Sequence, residues 1–244
     1  IKKMLISNKD RKGNDFMSTL LVIQAHPHIE NSLSLTVGKQ FVDTYKETHP
    51  NDQVIIRDLY AKEGVPPLND VTMEAWRKQK FDEPMTEEEK DLLKCHEEWL
   101  DEFISADKYV FINPMYNHFL PAEMKQYLDL TAVAHKTFKY TSNGPVGLLT
   151  GKKAIHIQAA GSEYHKSGKW GTVKFLIKKA FGIKSKESSA LMDLGDMYLT
   201  NVLKFYGITD VEKLFIEGAD AHRDQRQKIL NNALAEAKSI AKVF

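Results

Sequence analysis

Several features that mark specialised classes of protein are scarce in this sequence. Its 244 residues include a single cysteine, Cys95, so no intrachain disulfide can form and no cysteine-based metal motif is present. The formal net charge of +1 provides no long-range attraction to nucleic acid. No apolar run reaches the length of about 18 residues that a membrane span needs, so we expect none. Together these features are typical of a cytoplasmic protein with no nucleic-acid partner.

The composition that remains is that of one ordinary globular domain. Hydrophobic residues make up 42% and charged residues 27%, which provides enough apolar side chain for one α/β core. Residues 1–16 are rich in Lys, Asn and Asp and lack the apolar stretch of a signal peptide. They are either an extension ahead of a natural start at Met17 or a native polar arm. In both cases we expect the core to be a single domain over residues 17–244.

Short apolar runs alternate with helix-like segments along that domain. Continuous runs of this kind predict strands that are buried on both faces of a parallel sheet. Five strands are predicted, at residues 20–25, 53–57, 109–113, 154–159 and 211–216. Helices are predicted at 32–47, around Trp76, at 86–105 with a capping box of Thr86 and Glu89, from Pro121 onward, at 187–206 and at 221–243. The alternation predicts right-handed βαβ units and one sheet.

The loops that follow the strands are the informative segments, because ligands of such sheets bind beyond the carboxyl ends of the strands. The loop after the first strand ends at a helix N-terminus, where free backbone N–H groups and the helix dipole can hold a phosphate. Ser32 and Ser34 add hydroxyl donors there. Asn31 or Ser32 would serve equally well as a plain N-cap, so both interpretations stay open.

Three other kinds of site are disfavoured by the same segments. The first loop has no G-x-G-x-x-G pattern, which argues against a Rossmann-type dinucleotide site. Gly151 and Lys152 lack the spacing of a P-loop, which argues against nucleoside triphosphate chemistry. His26 and His28 have no third ligand at useful spacing, so we expect no metal.

The loops after the third and fourth predicted strands could hold a flat ligand. Met115 and Tyr116 could pack against a heteroaromatic ring, and Asn117 could hydrogen-bond its polar edge. In the second loop, 159–162, small residues would let the backbone approach a ligand, and Gly161 relaxes the backbone limits. A well-packed turn is the alternative in each case.

Taken together, the three loops resemble the FMN-dependent NADH-azoreductases, within the flavodoxin-like NAD(P)H:quinone reductase superfamily. The stretch 114–117 followed by 121–129 carries most of the resemblance, and the stretches 137–154 and 206–219 add to it. The resemblance implies a flavodoxin-like five-stranded parallel sheet in the order 2-1-3-4-5 with helices on both faces. It also implies a homodimer with active sites at the interface.

The resemblance assigns cofactor-binding positions to all three loops. The phosphate loop corresponds to Ser32, Leu33 and Ser34, and the first flavin-contacting position corresponds to His26. His118 stands where the family often has Phe, and Ala160 stands where some members have Arg. The remaining positions are Pro114, Met115, Tyr116, Asn117, His118, Ala159, Ala160, Gly161 and Ser162.

The activity implied is FMN-dependent, NADH-driven reduction of quinones, azo compounds or nitroaromatics. It would be a ping-pong, two-electron reaction in which flavin N5 carries the hydride, with Tyr116 and Asn117 as positioning residues and no side chain named as a catalyst. The alternatives are an FAD-dependent NAD(P)H:quinone reductase, a non-catalytic flavin-binding or electron-carrier protein, and a binding module without flavin. Residues 166–189 form an insertion relative to the family. It is interpreted either as a lid or dimer-contact element, or as a solvent-exposed amphipathic segment.

Overall fold

The computed structural model describes residues 18–27, 30, 32–165 and 192–244. Within these ranges the strands are β1 (Thr19–Gln24), β2 (Gln53–Asp58), β3 (Lys108–Pro114), β4 (Phe138–Thr141), β5 (Gly144–Gly147), β6 (Lys153–Ala160) and β7 (Asp210–Glu217). The α-helices are α1 (Leu33–Thr48), α2 (Asp70–Lys80), α3 (Glu87–Ser105), α4 (Ala122–Thr131), α5 (Leu194–Tyr206) and α6 (Arg226–Ala241).

The five long strands form one parallel sheet in the order β2-β1-β3-β6-β7. Counted along these five strands alone, this is the 2-1-3-4-5 order implied by the family resemblance, which is therefore confirmed. The central strands are buried along almost their whole length. Burial on both faces explains why they are continuous apolar runs rather than alternating ones.

Helices cover both faces of the sheet and enclose two apolar cores. On one face, α1 and α6 pack over side chains such as Val22, Val110 and Ile155. On the other face, α3, α4 and α5 pack over Leu21 and Phe111 among others. Each buried side chain of this size contributes about 2 kcal/mol through the apolar surface it removes from water. The two cores together hold the carboxyl ends of the strands at one edge of the sheet.

Local signals explain where the helices begin. The hydroxyl oxygen of Thr86 accepts a hydrogen bond from Glu89 N (3.2 Å), and the Glu89 carboxylate accepts one from Thr86 N (2.8 Å), so the expected capping box is confirmed. In α1, Val37, Phe41 and Tyr45 are fully buried, as their four-residue spacing indicates.

Three elements differ from the expectation. The antiparallel hairpin of β4 and β5 was not predicted, because apart from Phe138 its short strands are not buried and carry no apolar pattern. The helix expected from 187 begins at Leu194 with Asp193 as its N-cap, and residues 187–191 lie outside the described residues. The closing helix begins at Arg226, because a 3₁₀ turn at Arg223–Gln225 intervenes.

Two further observations concern the described part of the chain. None of its helices combines the length and the apolar character required to cross a membrane. It also contains no group of three or more His, Cys, Asp or Glu side chains arranged to hold a metal ion. The insertion at 166–189 and the polar stretch at 1–16 fall outside the described residues.

Candidate active site

A cavity of about 270 Å³ opens at the carboxyl edge of the sheet, where β1, β3, β6 and β7 end. This is the edge at which parallel sheets bind their ligands. Segments that are far apart in the chain meet there because the strand order brings their ends together. The lining residues are His26, Ser32, Leu33, Ser34, Pro114, Met115, Tyr116, Ala159, Ala160, Gly161, Ala219, Asp220 and Arg226.

The start of α1 forms one end of the cavity. The hydroxyl oxygen of Ser32 accepts a hydrogen bond from Leu35 N (3.3 Å), so Ser32 is the N-cap. It lies 3.3 Å from the hydroxyl of Ser34, which is fully buried. Ser32 was interpreted either as an N-cap or as a hydroxyl donor to a phosphate. The two roles are compatible, because Ser32 caps the helix and also lines the cavity. The first turn of a helix directs backbone N–H groups and a partial positive charge outward, as an anion site requires.

The segment after β3 forms one wall of the cavity. Pro114, Met115 and Tyr116 line it, as predicted. Beyond the strand, Tyr116 and Phe119 exchange two backbone hydrogen bonds of 2.9 Å each. Between them lie Asn117 at φ 50° and His118 at φ 65°. Two successive residues with positive φ are the mark of a type I′ turn, in which Asn is favoured.

This turn separates two of the predicted cofactor contacts from the cavity. Asn117 is exposed and His118 is half-buried, and neither is among the lining residues. The carbonyl of His118 instead accepts hydrogen bonds from Leu194 N (3.1 Å) and Gly195 N (3.2 Å), which docks the start of α5 on the turn. A role for Asn117 or His118 in cofactor binding therefore stays a prediction.

The end of β6 and the residue that follows it form the neighbouring wall, because β3 and β6 are adjacent strands. Ala159, Ala160 and Gly161 line the cavity, whereas Ser162 does not. The carbonyl of Gly161 accepts hydrogen bonds from Asp220 N and Ala221 N, both 3.1 Å long. A Cβ atom on Gly161 would lie 2.5 Å from Asp220 Oδ2 and 3.2 Å from Asp220 Cβ, so the Asp220 side chain would have to shift.

The sequence interpretation missed the residues that follow β7. Ala219, Asp220 and Arg226 complete the cavity, and Arg226 Nη1 lies 3.4 Å from Asp220 Oδ1. The Arg226 side chain is 43% exposed and that of Asp220 is 70% exposed. The rule that ligands bind at carboxyl strand ends applies to the last strand as well, and applying it there would have found them.

The fold and the sequence both have close counterparts among known proteins. The model of a family described as having the flavodoxin-like fold matches residues 18–241. The FMN-dependent NADH:quinone oxidoreductase 2 of Lactiplantibacillus plantarum is 50% identical, over 93% of this chain and 100% of its own length. The FMN-dependent NADH:quinone oxidoreductase 1 of Lactococcus lactis subsp. lactis is 42% identical over the same shares.

Solved structures include a similar enzyme with its cofactor. An FMN-dependent NADH-azoreductase from Bacillus anthracis, crystallised in complex with FMN, superposes with a TM-score of 0.78 at 30% identity. The match covers 92% of this chain and 98% of that one. A second azoreductase from Bacillus anthracis superposes with a TM-score of 0.77 at 31% identity, over 93% and 100% of the two chains.

Proposed function

Because the chain belongs to the flavodoxin-like family of FMN-dependent NADH:quinone oxidoreductases and azoreductases, we propose that it binds FMN and uses NADH to reduce quinones and azo compounds. The observation that carries the proposal is the cavity at the carboxyl edge of the sheet. It combines a helix N-terminus suited to a phosphate with two walls suited to a flat ring, one with the side chains of Met115 and Tyr116 and one of small residues. The resemblance to this family is confirmed by matches that cover 93% of the chain.

The residues present fit the parts of FMN. The start of α1 with Ser32 and Ser34 offers hydroxyl and backbone donors for a terminal phosphate. Ala159, Ala160 and Gly161 carry little or no side chain, so the backbone of that wall can lie against a planar ring. Arg226 places a positive charge at the rim, at the end of the cavity formed by the loop after β7. Each of these features supports binding of an anionic, flat ligand.

The chain's own residues would bind, orient and shield the cofactor, which supplies the two-electron chemistry when it is bound. Met115 and Tyr116 would contact one side of the ring system. Backbone N–H groups of the loop at Gly161 would face its polar edge, where donors stabilise developing negative charge. The acceptor would bind at the open side of the cavity beside Tyr116, a residue that is 38% exposed.

We also propose that the enzyme is a homodimer of the cytoplasm. Exposed apolar side chains flank the cavity, because α5 begins against the Tyr116 turn. Tyr116, Met192, Leu194 and Met197 are each between 38% and 55% exposed, and a second copy would cover them. The mass of the particle in sedimentation analysis tests the dimer. The cytoplasmic location remains a prediction, supported by the single cysteine.

The cofactor is tested by the absorption spectrum of the purified protein, with the heat-released chromophore identified by its mass. We expect FMN. FAD would instead favour the FAD-dependent quinone reductase alternative, and no flavin after incubation with both would exclude an oxidoreductase of this kind. NADH-driven assays with a quinone, an azo dye and a nitroaromatic then identify the acceptor class.

A further inference from the structure

A second set of polar side chains lies in the interior beside the cavity, on the face of the sheet that α5 covers. Asn113 and His156 are fully buried, Gln158 is 1% exposed, and Asp193 and Asp196 are 5% and 3% exposed. They come from β3, β6 and the start of α5, and Lys213 joins them from β7. Polar groups buried among apolar ones are costly unless every donor and acceptor is satisfied, so their hydrogen bonds define their chemical state. We refer to these six residues as the Asn113–His156 network.

The orientation of the Asn113 amide follows from a backbone group that cannot rotate. Asn113 Nδ2 lies 3.0 Å from the carbonyl oxygen of Pro114, which can only accept. Rotating the amide by half a turn would place two oxygen acceptors against each other. Asn113 Nδ2 therefore donates to Pro114, and Asn113 Oδ1 is the atom that faces His156.

His156 must then donate from both ring nitrogens. Its Nε2 lies 3.0 Å from Asn113 Oδ1, which can only accept, so Nε2 carries a proton. Its Nδ1 lies 3.0 Å from Asp196 Oδ1. An ionised Asp196 carboxylate also only accepts, so Nδ1 carries a proton as well. A histidine that donates from both nitrogens is an imidazolium cation.

Lys213 supports the ionised state of Asp196 independently of His156. Burial raises the pKa of this carboxyl, but hydrogen bonds from His156 and Lys213 outweigh burial and hold the net pKa below its usual range. Lys213 Nζ donates to the second carboxylate oxygen, so both oxygens are occupied. The carboxylates of the network thus face nitrogen donors, with His156 and Lys213 beside Asp196 and with His165 Nε2 3.8 Å from Asp193 Oδ2, as buried carboxylates require.

The hydrogen bonds of Asp193 and Gln158 fix the donor and acceptor ends of the remaining amide. Asp193 caps α5 by accepting from Asp196 N (2.8 Å), and its other oxygen accepts from the side-chain amide of Gln158. Gln158 Oε1 is then left to accept from Asn113 Nδ2 at 3.3 Å. The hydrogen bonds thus run in one direction. His156 donates to Asn113, Asn113 donates to Gln158, and Gln158 donates to the Asp193 carboxylate.

We propose that His156 is a buried imidazolium that acts as a positioning residue for the flavin site, because it fixes the Asn113 amide and through it the carbonyl of Pro114. Pro114 is the first residue of the cavity wall that continues into Met115 and Tyr116. Gln158, held by the same network, immediately precedes the neighbouring wall at Ala159. The flavin part of this proposal rests on the proposed function, whereas the charge of His156 does not.

The charge is tested by NMR of the FMN-loaded and FMN-free protein with ¹⁵N-labelled histidine, in which two-bond correlations report protonation of each ring nitrogen. The His156 signals are assigned by their loss in His156→Gln. We expect both ring nitrogens to be protonated in the unaltered protein, as the hydrogen-bond geometry requires. In Asp196→Asn the new amide can donate to Nδ1, so we expect a neutral ring protonated at Nε2 alone. A single protonated nitrogen in the unaltered protein would overturn the imidazolium assignment.

The positioning role is tested by the FMN dissociation constants of His156→Gln and a matched control, Ile155→Val. Ile155 is the buried neighbour on the same strand and packs into the core on the opposite face. Glutamine has one donating end and one accepting end, so it cannot donate to both Asn113 and Asp196. We expect FMN affinity to fall by about tenfold in His156→Gln, because displacing a positioning group by a fraction of an ångström is costly, and to stay unchanged in Ile155→Val.

The Asp196→Asn variant keeps the bond from Nε2 to Asn113, so we expect its FMN affinity to lie closer to that of the unaltered protein. It also serves where His156→Gln fails to fold. Unchanged FMN affinity in His156→Gln, or equal losses in the Ile155→Val control, would overturn the positioning role. An unaltered protein that binds no FMN but contains a doubly protonated His156 would overturn the proposed function and the flavin role, while supporting the imidazolium.

Discussion

Met115 donates its backbone N–H to the carbonyl of Ala159 across 2.7 Å, one residue beyond the end of β3. The two walls of the cavity are therefore hydrogen-bonded to each other and not only to their own strands. The second wall is bonded in turn to the loop after β7 through the carbonyl of Gly161. A change in any one of the three segments should consequently affect the binding of a ligand that contacts the others.

Gly161→Ala tests the contact between the second wall and the loop after β7. The added Cβ atom would meet Asp220 Oδ2 at 2.5 Å, so Asp220 must move. We expect FMN affinity to fall by about tenfold, because displacement of the wall at Gly161 weakens its contacts with the ligand. The Asp220→Ala substitution removes the clashing carboxylate. In that background, Gly161→Ala should lower FMN affinity by clearly less. Equal losses in the two backgrounds, measured by fluorescence titration, would show that the contact is unimportant.

Ser34→Ala tests the phosphate end of the cavity. The Ser34 hydroxyl lines the cavity and does not cap the helix, so we expect little change in the free energy of unfolding of the FMN-free protein. Loss of a hydrogen bond to a charged phosphate should weaken FMN by about tenfold or more.

Ser32→Ala should have two effects, because Ser32 both caps α1 and lines the cavity. We expect a loss of about 1 kcal/mol in the free energy of unfolding together with weaker FMN binding. Thr86→Ala is the matched control, since it removes the N-cap of α3, which is not part of the cavity. Thr86→Ala should lower the free energy of unfolding, measured by denaturant titration, by a similar amount. It should leave FMN affinity unchanged. A loss of FMN affinity in Thr86→Ala would mean that stability alone explains the serine variants.

Arg226→Ala tests the charge at the rim. Arg226 is 43% exposed and its pairing with Asp220 is loose, so its removal should hardly change stability. We expect FMN affinity to fall by about threefold to tenfold at low ionic strength and by less at high ionic strength, since salt screens exposed charges. Arg77→Ala provides the control, because Arg77 is a similarly exposed ion-paired arginine at the end of α2. A salt-independent loss would contradict an electrostatic role.

Asp52→Asn tests a pH-dependent contribution to stability at the opposite edge of the sheet. Burial raises the pKa of Asp52, but hydrogen bonds from Tyr45 and Ser18 hold the net pKa below its ordinary value of 3.8. A depressed pKa means that the carboxylate stabilises the fold above 3.8, and that this contribution is lost as pH falls through the lower folded value. We expect the variant to lose about 2 kcal/mol at pH 7 and the difference from the unaltered protein to shrink below pH 4. A difference that is constant with pH in urea titrations would contradict this.

Much of the fold could be predicted from the sequence because its signals are local. The run at 109–113 needs only its own apolar side chains to indicate a buried strand, and Thr86 with Glu89 indicates a helix start within four residues. The β4–β5 hairpin has no comparable signal. Its position depends on Gly147, where a Cβ atom would meet the backbone at Gly207 within 2.2 Å. Such a contact exists only after the chain has folded.

The candidate site was predictable where one loop carries its own pattern and not where partners come from distant segments. The serines at the start of α1 and the segment at 114–116 stand out in the sequence, and the structure brings them into one cavity. Arg226 lines that cavity as the first residue of the closing helix, whose start after a 3₁₀ turn was not predicted. His156 and Gln158 occur as polar interruptions of a strand, and their hydrogen-bond partners lie about forty residues away in either direction.

The central claim is that this chain passes two electrons from NADH to a quinone through a bound flavin. The most direct measurement is the flavin absorbance of the purified, FMN-loaded protein under anaerobic conditions, first after one equivalent of NADH and then after one equivalent of a quinone. We expect NADH to bleach the absorbance in full and the quinone to restore it in full, each with a stoichiometry of one. A flavin that NADH does not bleach, or that stays bleached in the presence of quinones and azo compounds, would contradict the proposed function.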